Sequence, residues 1–184
     1  DLGLIVTLPS FRETDLIRSL EALRDCELPP ISVEVIVVIN QASDESEETN
    51  YINYLSYQNA LDWANANNTS QLTFHILYIN DLPPKHAGVG LARKIAMDEA
   101  VRRLESVENP TGVIACFDAD SVCDPSYLQE LFNHFGRHKN SPACSIYFEH
   151  PLDGKLDRWM YDAITDYELF LRYYVQGLRY ASFP

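Results

Sequence analysis

Basic residues are scarce in this chain: 14 Lys and Arg stand against 27 Asp and Glu across 184 residues, a formal charge of −13. So few cations exclude binding along a nucleic-acid backbone by counterion displacement, and no nucleic acid is expected as a partner. Long apolar runs are also missing. None approaches the roughly 20 residues of a spanning helix, so the chain carries no membrane segment. The opening DLGLIVTLPS lacks the basic start and cleavage pattern of a signal peptide. The expectation is a soluble, cytoplasmic protein, with any membrane association carried by sequence outside these residues. Cysteine is thin as well. Cys26, Cys116, Cys123 and Cys144 show no close metal-ligand spacing, and two lie in or beside apolar stretches. They read as buried reduced thiols rather than a disulfide framework. Low-complexity linkers and internal repeats are absent, and the length suits a single domain over residues 1–184.

What is present alternates. LGLIVTLP (2–9) and SVEVIVVIN (32–40) are short apolar runs rich in β-favouring residues and read as buried strands. Between them Leu16, Ile17, Leu20 and Leu23 fall at helical spacing behind a cap at Thr14 or Asp15. The pattern repeats: a helix over 47–66, a strand LTFHILYI (72–79), and a helix from Leu91 to Leu104 whose Ile95, Ala96, Ala100, Val101 and Leu104 share a face. The strand GVIACFD follows, then a helix opened by Pro125 and carrying Leu128, Leu131, Phe132 and Phe135. ACSIYFEH (143–150) reads as a fifth strand, and an aromatic helix runs from Trp159 through Val175. That last helix is expected to pack on the sheet or on structure outside these residues. Such alternation implies an α/β fold: an open, mainly parallel sheet, Rossmann-like, with helices on both faces. Ligands of such sheets bind beyond the carboxyl ends of the strands. Polar segments stand at those ends: PSFRE, NQASDES, NDLPPKHAGVG and DADS.

The last of these poses a chemical question. VIACFDADSVCDP aims Asp118, Asp120 and Asp124 at the end of a buried strand, and carboxylates taken out of water need a cation, a shared proton or solvent. In an extended segment residues two apart face one side, with Cα atoms about 6.5 Å apart. Asp118 and Asp120 can therefore share a hard divalent cation, Mg²⁺ or Mn²⁺, completed by phosphates. An exposed acidic turn accounts for the same residues, and both readings stay open at this point.

Taken in order, PSFRE, the polar NQASDES, GVGLARK opening the third helix, and DADS resemble the family 2 glycosyltransferases of the A-type nucleotide-diphospho-sugar transferase fold, over Leu4 to about Leu131. The resemblance implies an enzyme that transfers a hexose from a nucleotide-diphosphate donor, UDP-linked by expectation, to a saccharide or lipid hydroxyl with metal assistance and inversion. It implies that Pro9, Phe11 and Glu13 border the nucleoside. The 85–90 loop, with Gly88, and Arg93 then lie along the nucleotide, Asp118 and Ala119 approach ribose or metal, and Asp120 ligates the metal. Members carry an acidic pair after the second strand where this chain has Ile39 and Asn40, so Asn40 and Asp44 are the expected substitutes. The family's catalytic base follows the fifth strand behind a Gly-rich lead-in. Here the corresponding stretch offers only Asp153 and Asp157, with Glu149 and His150 at its edge. The expectation is a donor-binding portion whose base and acceptor part lie beyond Pro184. Two alternatives use the same residues: a nucleotide-sugar-binding domain without turnover, and a haloacid dehalogenase-type phosphatase with Asp118 as nucleophile and Asp120 as acid and base.

Overall fold

The computed structural model describes residues 1–181. They divide into two compact units, Asp1–Asn140 and a second beginning at Ser141.

In the first unit four strands, β1 (Leu2–Ser10), β2 (Ser32–Ala42), β3 (Leu72–Leu82) and β4 (Val113–Cys116), alternate with α1 (Leu16–Arg24), α2 (Glu47–Asn67) and α3 (Val89–Ser106), and α4 (Tyr127–Arg137) follows. The sheet is parallel throughout, in the order β3-β2-β1-β4. Parallel strands covered on both faces read as unbroken apolar runs, which is why β1 and β2 stand out in the sequence. Alternate residues divide between two cores. Leu4, Val6, Leu8, Val33, Val35, Val37 and Ile39 pack with Leu16, Leu20 and Leu23 of α1, Ala60 and Ala64 of α2, and Leu128 and Leu131 of α4. Ile5, Ile36 and Val38 face the opposite way, onto Ala92, Ala96, Ala100 and Leu104 of α3. The small alanines let α3 lie close on the sheet. Val101, expected on that face, is 45% exposed.

The strand order locates the site. The chain steps outward from β1 to β2 to β3, then α3 carries it back across the opposite face to β4 on the other side of β1. Between β1 and β4 the direction of winding reverses, and the strand ends there diverge into a crevice.

The second unit contains α5 (Arg158–Tyr180), none of whose residues is buried. The expected fifth strand does not form: 143–150 is irregular, with Ile146, Tyr147 and Phe148 exposed. β-favouring residues make a strand only where a pleated neighbour exists to pack and pair with, and the described residues supply none. Polar bonds hold this segment instead. His150 donates from its backbone N–H and its ring Nδ1 to Glu168 Oε1 (2.8 and 3.0 Å), and Arg172 reaches the Tyr147 hydroxyl at 3.2 Å. Among the described residues no helix is long and apolar enough to cross a membrane.

Candidate functional site

Burial alternates beyond β4: Phe117 and Ala119 are buried while Asp118 and Asp120 are exposed. The backbone continues the strand for one step, Phe117 N–H donating to Thr7 C=O at 2.9 Å, and then turns, Ser121 N–H donating to Asp118 C=O at 3.1 Å, with both carboxylates left outside. They line a cleft of about 380 Å³ together with Pro9, Phe11 and Glu13 after β1, Val89 and Arg93 of α3, and Ala119. Residues from three distant stretches thus meet where the winding reverses.

Two other expected residues lie elsewhere. Asn40 is buried near the end of β2, opposite Ile79 of β3, and does not line the cleft. Gly88 precedes α3 as its N-cap and adjoins the lining without joining it. A Cβ added at Gly88 or Gly90 would meet nothing within 4 Å, so packing does not demand glycine at either position.

Within the cleft Arg93 donates to Asp118 Oδ1 at 2.6 Å. Among the described residues Asp120 makes only a 3.5 Å contact, with the Ser121 hydroxyl, which leaves its other lone pairs open. Asp124 has a different job. It accepts from the backbone N–H and hydroxyl of Ser126, both at 2.9 Å, before α4. Those bonds hold its carboxyl below the usual range.

Residues outside the lining hold both loops. The Ser19 hydroxyl on α1 lies 2.7 Å from the carbonyl oxygens of both Ala119 and Ser121, which share its one proton. Further along, Glu27 N–H donates to Pro125 C=O at 2.7 Å, and Cys26 and Cys123 bring their sulfurs to 3.6 Å. Cys26 and burial together push the Cys123 thiol up. All four cysteines are free, but only Cys26 is buried; Cys116 and Cys144 are exposed, which corrects the expectation of buried thiols. Cys116 is the last residue of β4, a four-residue strand at the edge of the sheet.

On the other loop Arg12 adopts φ +55°, a left-handed conformation that costs a non-glycine residue on the order of 1 kcal/mol or more. Its backbone N–H donates to Asn53 Oδ1 of α2 at 2.7 Å, and the Ser56 hydroxyl donates to Glu13 C=O at 3.1 Å. The sequence signal for Ser19 and Asn53 is a small polar residue placed on a buried helix face. Ser19 interrupts the Leu16, Leu20, Leu23 stripe.

Among the described residues no group of three or more His, Cys, Asp or Glu gathers as for a metal. The cleft therefore does not fit a cation caged by protein alone. It fits one held by one or two carboxylates and completed by ligand phosphates and water, because Asp120 is uncommitted and Asp118 retains Oδ2. In the second unit Asp153 makes a poor proton acceptor. An ion pair with Lys155 at 2.7 Å and a bond from Tyr161 hold its carboxyl down to about 2.

No protein-family model matches the chain, and no curated protein does. Among solved structures, residues 1–349 of Staphylococcus aureus TarS align at 15% identity with a TM-score of 0.46, over 79% of this chain and 39% of that one. Its complexes with UDP-GlcNAc and with UDP align at 16% and 17% identity, both with a TM-score of 0.46, each over 75% of this chain. They are covered over 32% and 33% of their own length, so this chain spans about a third of the solved chains it resembles. The likeness is too distant to carry residues or activity across.

Proposed function

We propose that the cleft binds a nucleotide-diphosphate sugar and that the chain is the donor-binding part of a glycosyltransferase. One observation carries the reading: an exposed aromatic ring, a cation and two exposed carboxylates converge at the sheet's point of reversal. Each has a natural partner in such a ligand. Phe11 offers a face for the base, and Glu13 an acceptor for ribose or base donors. Arg93 and the uncapped start of α3 suit the diphosphate, since free backbone N–H groups at a helix N-terminus favour anions.

Asp120, with Asp118, would hold Mg²⁺ or Mn²⁺. The ion's chemistry there is to offset the charge that develops on a leaving diphosphate. It also reconciles an anionic ligand with a chain of charge −13. Arg93 neutralises Asp118 in the absence of ligand and can turn to a phosphate on binding. Sugar transfer further needs a base for the acceptor hydroxyl, and no residue of the cleft is assigned that role. By the family resemblance the donor is UDP-linked, the sugar a hexose and the outcome inverting.

Calorimetry of UDP binding in Mn²⁺ and in chelator tests this directly. Tighter binding with metal is expected, with at most slow donor hydrolysis and no efficient sugar transfer from this chain alone. Equal affinity with and without metal would remove the metal site. Turnover of a generic aryl phosphate without UDP binding would favour the phosphatase.

A further inference from the structure

The loop that carries Phe11 and Glu13 into the cleft does not hold itself. Arg12, between them, is left-handed, and its side chain points to Glu48 at 3.7 Å rather than into the lining. What fixes its backbone is Asn53, a fully buried side chain on α2, 41 residues away.

Asn53 is itself locked. Its Nδ2 donates to Gln41 Oε1 at 2.9 Å, the Tyr78 hydroxyl donates to the same oxygen at 3.3 Å, and Gln41 Nε2 donates to Asn50 Oδ1. With Gln41 Nε2 committed to Asn50 and the Tyr78 hydroxyl donating to Oε1, Gln41 presents an oxygen here, so Asn53 must turn its own amide nitrogen toward it. Its oxygen then faces Arg12. Every buried amide of the network is satisfied in one arrangement, which is the condition under which such networks specify geometry. Ser56, three residues on, adds the bond to Glu13 C=O.

We propose that Asn53 is a positioning residue of the nucleotide site: by holding Arg12 left-handed it aims Phe11 and Glu13 at the ligand, so affinity for the nucleoside half is set from α2. This rests on the nucleotide reading of the cleft. It separates the two halves of the ligand, because Asp118, Asp120 and Arg93 are not tied to Asn53.

The test uses UMP and Mn²⁺-pyrophosphate as separate probes, with amide exchange at Arg12 as a ligand-free readout. Asn53→Ala is expected to weaken UMP at least tenfold, to leave pyrophosphate within about twofold, and to speed Arg12 amide exchange at least tenfold. Arg12→Gly in the Asn53→Ala background should recover much of the UMP loss, since glycine takes φ > 0 unaided. Mere loss of stability would not show that recovery. Should Asn53→Ala fail to fold, Ser56→Ala releases the same loop at Glu13 and should weaken UMP alone by a few-fold. Unchanged UMP affinity, equal losses for both probes, or no recovery with glycine would overturn the proposal. Wild-type protein that binds neither probe would instead bring down the nucleotide reading, and the positioning role with it.

Discussion

On one side of the cleft the chain leaves β1 through Phe11, Arg12 and Glu13, and α2 holds it. On the other it leaves β4 through Asp118, Ala119 and Asp120, and α1 holds it. The acidic side is close to regular. Phe117 goes inward as the strand's next alternate residue does, Ala119 is buried within the turn that Ser121 N–H closes on Asp118 C=O, the carboxylates stay outside, and one hydroxyl beside two carbonyls finishes the turn. The aromatic side departs from regularity at Arg12 and depends on a buried amide network to stay there. One wall is a short turn closed by its own backbone and steadied by one hydroxyl; the other is held out of an ordinary conformation by a buried amide network. The two should therefore fail differently.

The largest effect is expected on the acidic wall. Asp120→Asn keeps volume and removes charge, and should cost UDP binding in Mn²⁺ about a hundredfold, roughly 2.7 kcal/mol. Titration in chelator should barely change. Asp118→Asn should lose less, because Arg93 already neutralises that carboxylate. Equal losses would mean that the two acids are equivalent and the Arg93 pair is incidental. Next comes the support of that wall. Ser19→Ala removes the one hydroxyl proton that two carbonyls share and should destabilise the fold by about 1–3 kcal/mol. Urea unfolding reads this, and metal-dependent UDP affinity should fall with it while UMP affinity holds.

A smaller change belongs to the aromatic wall. Base stacking on an aromatic ring is worth about 1–3 kcal/mol. For the 48% exposed Phe11, Phe11→Ala should fall at the low end, roughly 1 kcal/mol, and equally for UMP and UDP. A loss confined to UDP would place the ring on the diphosphate instead.

The smallest effect on binding is expected far from both walls. Glu99 accepts from Arg102 and Arg103, which hold its carboxyl down to about 2. A depressed carboxyl contributes stability that is fully present above its unfolded value near 4.5 and is lost as pH falls toward 2. Glu99→Gln should flatten the acid limb of stability between those values, measured by thermal melts, and leave UDP affinity at neutral pH unchanged.

Legibility in the sequence divides along the same line. β1 and β2 are readable because a strand buried on both faces is filled with apolar residues along most of its length. The meeting of Pro9, Phe11, Glu13, Arg93, Asp118, Ala119 and Asp120 is readable because parallel strands deliver their ends to one edge. Asn40 shares that logic but is drawn into the sheet, because β2 runs on to Ala42. Asn53 and Ser19 escape such reading, since their partners lie 41 and 100 residues away and no spacing rule connects them. ACSIYFEH misleads for the converse reason: its composition suits a strand, but strand formation is a property of pairs.

The reversal between β1 and β4 also has a consequence in time. Thr7 donates to Ala115 C=O across 108 residues, whereas β2 pairs with β1 after only about thirty. On a ribosome moving at about 5–20 residues per second, β1 waits roughly 5–20 s with one edge bare before β4 emerges. That edge carries Leu4, Ile5 and Val6, an inviting template for another chain's strand. Slow synthesis should thus lower the soluble yield of this protein, and early supply of a chaperone should raise it, even though the finished sheet is well covered.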